Sequence, residues 1–327
     1  MGIRYLNRYL RNNCPNSISK IHLRDLSGKT VVIDTSIYLY RFIGEDALLE
    51  NFYYMISLFK KYNITPLFIF DGKPPEEKKQ LLIERKQEKI LAEEKYKEIQ
   101  KNIEENNYND EELHDLMNQM DTLKKQFIKI TNAQIEKVKH LFMAYGVSYF
   151  DAPSEADLLC AKLVIKKKAY ACLSEDMDLF VYGCPIVLRY LSLQNENIIQ
   201  YDFKNILKEL DISHIDFKYI CVLSGTDYNN NINKINLYNV LKLHKNYIKY
   251  LKNNKDNLEN NFDLYKYIET QTNTTIDICE LYNILTLFDL SNYPYLKSFD
   301  KIKIINGSIN WNRLQNILKE ENFIFLQ

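Results

Sequence analysis

Acidic side chains directly follow the three runs that this sequence marks most clearly as strands. These runs are short, apolar and rich in β-branched or aromatic residues, as buried parallel strands are, and they lie at residues 30–33, 67–70 and 170–173. The acids that follow them are Asp34, Asp71, Asp176 and Asp178. Because the carboxyl ends of parallel strands share one edge of a sheet, we expect these four side chains to converge there.

Three further acids stand at positions that lead to the same edge. Glu155 and Asp157 open a predicted helix after an apparent strand at residues 147–150, and Asp227 lies in a turn after an apolar segment. Ordinary structural explanations exist for such positions: Ser154 can cap the helix, an aspartate after a strand is a favoured N-cap, and Asp227 can be a turn residue. Seven converging carboxylates, however, would repel one another strongly unless divalent cations bound between them.

The predicted ligand set contains oxygen atoms only, with no pattern of histidine or cysteine beside it. Mg²⁺, for which Mn²⁺ can substitute, suits such a set, whereas zinc does not. Two such ions about 4 Å apart can activate a water molecule and stabilise the departing oxygen of a phosphodiester. This hydrolysis needs on the order of 20 kcal/mol of barrier lowering, which acid–base side chains alone rarely supply. The carboxylates therefore predict hydrolysis of phosphodiesters with two metal ions.

The segments between the strand-like runs have helical periodicity, which predicts an α/β fold with a mostly parallel central sheet flanked by helices. Residues 76–145 form a long tract of helix formers with both charge signs, broken near residues 106–110. We predict two helices there that protrude from the sheet as an arch. After residue 227 the composition turns to Asn, Lys, Leu and Tyr with helical spacing. The predicted domains are therefore residues 1–227 and a smaller helical domain at residues 228–327.

The composition is that of a globular protein, with 46% hydrophobic and 26% charged residues. No run of 18 apolar residues and no secretory signal occurs, so we expect a soluble intracellular protein of the nucleus or cytoplasm without membrane contact. The six cysteines form no Cys-x-x-Cys pair, and we expect reduced, buried thiols. The formal net charge of zero averages over acidic clusters and basic patches, such as residues 228–255 with six lysines and no acid.

The acidic motifs, in their order and spacing, resemble those of the flap endonuclease family of 5′ nucleases, which includes the larger repair nucleases of the XPG type. The matching segments are Met1-Gly2-Ile3, Val32-Ile33-Asp34-Thr35-Ser36, Phe70-Asp71-Gly72-Lys73-Pro74-Pro75, Ala152-Pro153-Ser154-Glu155-Ala156-Asp157, Glu175-Asp176-Met177-Asp178 and Gly225-Thr226-Asp227-Tyr228. The resemblance is clear through about residue 228 and weaker beyond it. It implies cleavage of DNA at 5′ flaps or other junctions between single and double strands, in replication, repair or recombination.

The resemblance also assigns roles to individual residues. It implies one metal ion at Asp34, Asp71, Glu155 and Asp157, and a second ion at Asp176, Asp178 and Asp227. It implies that Lys78 and Arg85 lie above the scissile phosphate, that Tyr40 stacks on the terminal unpaired base, and that Gly2 contacts the DNA. Asp157 stands where most eukaryotic relatives have a glutamate, and this shorter acid would draw the ion inward.

Simpler alternatives exist for the DNA-handling residues. Lys78 and Arg85 are seven residues apart, so they share one face of a helix, and that face could merely be solvated. Tyr40 could pack in the core from a helix that also carries Tyr38 and Phe42. Stacking of a base on an aromatic ring, by contrast, would contribute roughly 1–3 kcal/mol to binding.

Two rows of basic residues have the spacing to contact a DNA backbone. One row presents a single basic face to a duplex and consists of Lys242, Lys245, Lys249 and Lys252. The other row is Arg4, Arg8 and Arg11, which a solvated helix face explains equally well.

Three departures from the family pattern suggest an atypical or viral member. The chain is short between Asp34 and Asp71, where cellular relatives build a wedge and a pocket for a one-nucleotide 3′ flap. The glycines of the family's helix–two-turn–helix motif are missing around residues 233–236, which argues against its potassium site, and residues 321–327 show no recognisable sliding-clamp motif. The alternatives are a 5′→3′ exonuclease, a junction-resolving nuclease, or a catalytically silent DNA-binding scaffold. We expect a monomer.

Overall fold

The computed structural model describes residues 2–106, 108, 110–229, 235–254 and 262–320. A sheet runs through its centre, and the strands are β1 (Ile18–His22), β2 (Thr30–Asp34), β3 (Thr65–Phe70), β4 (Ser148–Asp151), β5 (Ala171–Leu173), β6 (Ile186–Ser192) and β7 (Asn197–Asp202). Their order across the sheet is β1-β7-β6-β5-β2-β3-β4. The five strands from β6 to β4 are parallel, and β7 and β1 continue the sheet in antiparallel pairing. The predicted α/β class with a mostly parallel sheet is confirmed.

The α-helices are α1 (Leu6–Asn13), α2 (Thr35–Gly44), α3 (Leu48–Lys61), α4 (Lys79–Glu105), α5 (Asp110–Gln126), α6 (Asn132–Tyr145), α7 (Ala156–Ile165), α8 (Asp178–Val181), α9 (Phe203–Leu210), α10 (His214–Ser224), α11 (Leu237–Asn254), α12 (Phe262–Thr272), α13 (Ile278–Leu287) and α14 (Trp311–Glu320). In the described part of the chain, none of these helices is long and apolar enough to cross a membrane.

The central strands are apolar on both faces because helices cover both sides of the sheet. In β2, Val31 and Ile33 lie in one buried cluster with α2, α3 and α6, while Val32 lies in the cluster on the opposite face with α7 and α10. Successive side chains of a strand point to opposite faces, so this burial requires an unbroken apolar run. The sequence pattern that marked β2, β3 and β5 therefore has a direct physical cause.

In the described part of the tract at residues 76–145 there are three α-helices rather than two. Helices α4 and α5 contact each other, and the surfaces of both are largely exposed. The ring of Tyr96 on α4 also packs edge to face with that of Phe127, directly after α5. Helix α6 differs, because Val138, Leu141 and Phe142 are buried against the sheet and α3. The two protruding helices of the predicted arch thus correspond to α4 and α5, and the tract ends in a core helix.

The C-terminal helices share the hydrophobic clusters of the sheet. Helices α10 and α11 continue one cluster, and Leu314 and Leu318 of α14 lie in the other, beside α6. Before α14, the backbone N–H of Gly307 donates to the carbonyl of Gly146 at 2.7 Å. The predicted division into two domains at residue 227 stays a prediction. The apolar core continues across this position. The predicted departures at residues 233–236 and 321–327 lie partly or wholly outside the described residues.

Candidate active site

Asp34 is the last residue of β2 and also the N-cap of α2. One carboxylate oxygen accepts a hydrogen bond from the backbone N–H of Ser36 at 3.2 Å, and the other accepts from the Ser174 hydroxyl at 3.0 Å. The side chain is only 6% exposed. Asp34 therefore both caps α2 and belongs to the acidic cluster. Its bond to Ser174, directly after β5, connects the ends of β2 and β5.

Asp71 follows β3 and connects that strand to α7. Its carboxylate accepts a hydrogen bond from the N–H of Ala156 at 2.8 Å, at the start of the helix whose N-cap is Glu155. The next residue, Gly72, packs so closely that a Cβ there would lie 2.0 Å from the carbonyl oxygen of Ala152. Only glycine fits this approach, which brings the motif after β3 against the motif before α7.

Asp176 lies on a short loop between β5 and α8, and Asp178 is the first residue of α8. The N–H of Asp176 donates to the Ser174 hydroxyl at 3.1 Å, and the N–H of Asp178 donates to the Asp176 carboxylate at 3.0 Å. Buried Arg189 holds this loop from behind by donating to the Glu175 carbonyl at 2.7 Å. These bonds fix the backbone and leave carboxylate oxygens directed into the site.

Gly2 lies directly against this loop. A Cβ on Gly2 would lie 2.5 Å from a carboxylate oxygen of Asp178 and 2.6 Å from one of Asp176, and its φ of +73° is also strained for other residues. Any side chain at residue 2 would therefore fill the space beside the two carboxylates, while the DNA contact of Gly2 stays a prediction.

The carboxylates perturb one another because they are buried together. Burial, with Asp71 and then Asp176 adding to it against the opposing hydrogen bond from Ser174, raises the pKa of Asp34 to about 8. Burial followed by repulsion from Asp176 raises the pKa of Asp157 and of Asp178 well above the ordinary range. Within the described residues, the Oδ1 atoms of Asp157 and Asp178 are buried without a hydrogen-bond partner.

Two cations neutralise the other side of the cluster. The ammonium of Lys78 lies 2.7 Å from Glu155 and 3.7 Å from Asp227, and Arg85 donates to Asp227 at 2.9 Å. Lys78 is 6% exposed, so it is not part of a solvated face. Burial alone would lower its pKa, but Tyr228 and the neighbouring carboxylates, Glu155 foremost, outweigh burial and raise it. Lys78 is therefore a charged residue of the site.

The residues fit hard divalent cations, although no ready-made cage exists. Across residues 2–106, 108, 110–229, 235–254 and 262–320, no three His, Cys, Asp or Glu side chains are grouped closely enough to hold one ion. The donor set is nevertheless all oxygen, includes the two unpartnered buried oxygens of Asp157 and Asp178, and carries repulsion that a cation would relieve. The side chains that would hold the ions are Asp34, Asp71, Glu155, Asp157, Asp176, Asp178 and Asp227.

A cavity of about 600 Å³ opens beside the cluster, between the N-terminus, the base of α4 and the turn that carries Asp227. Gly2, Arg4, Arg85 and Asp227 are among its lining residues. A second cavity, of about 740 Å³, lies farther along α4 and is lined by residues of α4 and α5. The first cavity reaches the carboxylate cluster at Asp227.

Tyr40 does not pack in the core. It is 42% exposed on α2, and the ammonium of Lys89 on α4 lies 4.8 Å from its ring centroid. The lysine row on α11 (Lys242, Lys245, Lys249 and Lys252) is exposed, as are Arg4, Arg8 and Arg11 at α1. The structure thus leaves these side chains available to a ligand and does not join them to the carboxylate cluster, except for Arg4 at the cavity wall.

Tyr228 belongs to the site but was assigned no role from the sequence. Its hydroxyl donates to Glu155 at 3.0 Å, and its ring lies under the Lys78 ammonium at 4.9 Å. The available signal was its position directly after Asp227 in a matching motif. A tyrosine in a turn has so many structural uses that this position alone does not indicate a contact with Glu155 or Lys78.

Comparisons with known proteins match the same segments. The family models of the XPG N-terminal domain and the XPG I-region match residues 1–92 and 146–227, which together contain the seven carboxylates, Lys78 and Arg85. Flap endonuclease 1 of Encephalitozoon cuniculi (strain GB-M1) is 32% identical over 245 residues, which cover 70% of this chain and 68% of that protein. Flap endonuclease 1 of Homo sapiens is 30% identical over 250 residues, which cover 71% of this chain and 63% of that protein.

Among solved structures, the catalytic core of Rad2 in complex with DNA substrate has a TM-score of 0.67 at 19% identity, over 98% of this chain and 95% of that chain. At this level of identity the likeness shows a shared fold. The sequence matches go further, because they span the motifs from which the carboxylate site is built. The chain belongs to the flap endonuclease and XPG-type family of structure-specific 5′ nucleases.

Proposed function

We propose that this chain hydrolyses DNA phosphodiesters at 5′ flaps or other junctions of single and double strands, with two Mg²⁺ ions held by the seven carboxylates. The observation that carries this proposal is the convergence of those carboxylates on one sheet edge, with Lys78 and Arg85 bonded to two of them. The Rad2 core in complex with DNA substrate, which shares the fold, supports DNA as the polymer.

The acidic and basic side chains have different roles around the reacting phosphate. Mg²⁺, when bound, supplies positive charge that activates water and stabilises the departing oxygen. Asp157 and Asp178, with their unpartnered buried oxygens, are placed to attract such ions. Lys78 and Arg85 would turn from Glu155 and Asp227 to the phosphate oxygens, where their charges stabilise the transition state. Arg85 is half exposed at the cavity wall, which allows that movement.

The single strand would leave the cavity along α4. Arg85 lines both the cavity at the carboxylates and a neighbouring one between α4 and α5, so the two spaces adjoin. Tyr40 presents an exposed ring near this path, with Lys89 beside it. Stacking of an unpaired base on that ring requires no particular base identity. These features support binding of a 5′ end without sequence preference.

The duplex would lie along α11. Tyr238 and the four lysines at 242, 245, 249 and 252 occupy one exposed face of this helix, which rises about 1.5 Å per residue. The ring of Tyr238 contacts Tyr9 of α1 at 5.5 Å, so α1 and α11 are neighbours. Arg4, just before α1, lines the same cavity as Asp227, so a basic side chain also lies near the carboxylates. This arrangement suits a sugar–phosphate backbone.

The short connection between α2 and α3 favours a second candidate within the same chemistry. Only residues 45–47 join these helices, in the region where the resemblance implies a wedge and a 3′-flap pocket. Without that wedge, a 5′→3′ exonuclease or junction-resolving nuclease would use the same carboxylates on a different DNA geometry. A silent DNA-binding scaffold is disfavoured because all seven acids are present.

The substrate panel decides among these candidates. Purified protein is incubated with end-labelled 5′-flap, nicked, gapped, blunt-duplex and four-way-junction DNA, with Mg²⁺ or with EDTA. We expect cleavage only with Mg²⁺ and fastest where a 5′ single strand meets a duplex. Preferential digestion of blunt or nicked duplex would assign an exonuclease, and symmetrical cuts in the four-way junction would assign a junction-resolving nuclease. Absence of cleavage on every substrate would contradict the proposed function.

A further inference from the structure

The lysine at the centre of the site rests on an aromatic side chain. The Lys78 ammonium lies 4.9 Å from the centroid of the Tyr228 ring, while the Tyr228 hydroxyl donates at 3.0 Å to the carboxylate of Glu155. Lys78 bonds to the other oxygen of that carboxylate at 2.7 Å. One tyrosine therefore contacts both members of this buried ion pair, through its ring face and its hydroxyl.

We propose that Tyr228 is a positioning residue whose ring holds Lys78 in place for the reaction. The inference rests on the proposed function of the site, but its basis is this chain's own contacts. Within the site, the Tyr228 ring contacts Lys78 and its hydroxyl contacts Glu155, and its effect on the reaction passes through Lys78.

The ring is needed to hold Lys78 because the carboxylates that bind Lys78 are also expected to bind the metal ions. Glu155 and Asp227 hold the ammonium in this structure, and both are also expected to serve the metal ions. When a cation draws these carboxylates, their hold on Lys78 weakens. The face of an aromatic ring attracts an ammonium through its quadrupole and does not compete for divalent cations. Tyr228 thus keeps Lys78 in the site both without metal ions and with metal ions bound to Glu155 and Asp227.

Tyr228 is itself fixed by the surrounding fold. Its backbone N–H donates to the Thr226 hydroxyl at 3.2 Å, and its hydroxyl lies 3.3 Å from that of Tyr182. The edge of Phe288, which is fully buried at the end of α13, meets the Tyr228 ring at 5.3 Å. Lys78 therefore rests on a rigid group anchored in both the sheet domain and the C-terminal helices.

Three variants separate the ring from the hydroxyl and from a general loss of packing. Tyr228→Phe keeps the ring, Tyr228→Leu removes it, and Tyr265→Leu removes a buried ring of the C-terminal helices away from the site. Thermal denaturation checks that each variant is folded. We measure single-turnover cleavage of a 5′-flap substrate and, separately, the affinity for that DNA in Ca²⁺.

We expect Tyr228→Leu to slow single-turnover cleavage about tenfold, equivalent to about 1.4 kcal/mol, with affinity for DNA changed less than about twofold. Tyr228→Phe should retain the wild-type rate within about threefold, and Tyr265→Leu should retain it fully. In a Lys78→Ala background, Tyr228→Leu should cause no further loss of rate, since its effect passes through Lys78. An equal further loss in that background, or equal losses for Tyr228→Phe and Tyr228→Leu, would overturn the role of the ring.

A labelling measurement tests the same inference without nuclease activity. Reductive methylation with formaldehyde, followed by mass spectrometry of the Lys78 peptide, reports how accessible and mobile the ammonium is. We expect Lys78 to react several-fold faster in Tyr228→Leu than in the wild type, and at the wild-type rate in Tyr228→Phe and Tyr265→Leu. Unchanged labelling in Tyr228→Leu would contradict the inference even if the protein cleaved no DNA, whereas faster labelling in an inactive protein would contradict only the proposed function.

Discussion

Burial and mutual repulsion act together on the side chains of Asp34, Asp157 and Asp178. All three have raised pKa values, burial being the largest cause in each case. An ionised carboxylate in such surroundings opposes folding until a cation neutralises it. Lys78 and Arg85 reach Glu155 and Asp227 but leave Asp157 and Asp178 with unpartnered oxygens. The buried carboxylates therefore lower the stability of the metal-free fold and allow the site to bind cations.

Replacement of Asp157 by Asn should stabilise the metal-free protein, because it removes one charge and allows the amide to donate to a neighbouring carboxylate. The free energy of unfolding in EDTA should rise by on the order of 1 kcal/mol at neutral pH, a few degrees in Tm. Since the folded-state pKa is raised, the penalty is absent below the ordinary value of 3.8 and grows as the pH rises above it. The gain should therefore vanish in acid.

Calorimetry in EDTA measures the gain in stability of Asp157→Asn, and calorimetry with Mg²⁺ measures how much the ion stabilises each protein. Mg²⁺ should raise the Tm of the wild type more than that of Asp157→Asn, and exposed Asp115→Asn on α5 should behave as the wild type. A lower Tm for Asp157→Asn in EDTA would mean that the carboxylate stabilises the fold.

Arg85→Ala should slow single-turnover cleavage far more than it weakens DNA binding, because the charge acts at the scissile phosphate. We expect a loss of rate of about 10²-fold or more, as for other groups that stabilise transition-state charge. The matched control is Lys86→Ala, which removes an exposed positive charge from the next position of α4. Equal losses of rate and affinity in Arg85→Ala would identify Arg85 as a binding residue only.

The sequence predicted some of the helices and strands that position these residues but not others. The strands that precede acids were predictable because two-sided burial leaves unbroken apolar runs. Strands β6 and β7 have mixed burial and therefore no unbroken apolar run, and they were not predicted. Helix α6 carried readable signals in its capping box, Thr131 with Gln134, and in Gly146 at φ +67° after its end. The charge of the preceding tract obscured these signals.

At the scale of elements, the exposed face of α11 makes a measurable prediction about salt. If the lysines at 242, 245, 249 and 252 contact duplex phosphates, each lost contact should reduce the slope of log affinity against log salt by about 0.9. Their replacement by Ala should flatten the slope by roughly 2–4 and weaken binding most for substrates with a long duplex arm. Cleavage at saturating DNA should change little, since this face lies outside the carboxylate cluster.

The control for this experiment is a pair of exposed lysines after α7, Lys166 and Lys168, replaced by Ala. This pair should leave the slope unchanged. If the α11 variant also keeps the wild-type slope, the lysine row is a solvated helix face and the duplex binds elsewhere.

Across the whole molecule, the convergence of the acids could be predicted, but their electrostatic environment could not. The rule that parallel strands end at one edge brought together residues more than a hundred positions apart, from Asp34 to Asp178. Burial of Lys78 was not predictable, because it depends on Glu155 and Tyr228, which reach it from distant parts of the chain. The continuity of the core past residue 227 was also missed, since helical spacing in residues 228–327 does not say what those helices pack against.

The central claim is that the carboxylates at the sheet edge carry out cleavage through bound Mg²⁺. The most direct measurement is single-turnover cleavage of a 5′-flap substrate by the wild type and by Asp176→Ala over a range of Mg²⁺ concentrations, with DNA affinity and thermal denaturation recorded in parallel. We predict that Asp176→Ala abolishes cleavage at every Mg²⁺ concentration while it remains folded and binds the flap DNA with nearly wild-type affinity. Turnover by Asp176→Ala near the wild-type rate, or full wild-type activity in EDTA, would contradict the account.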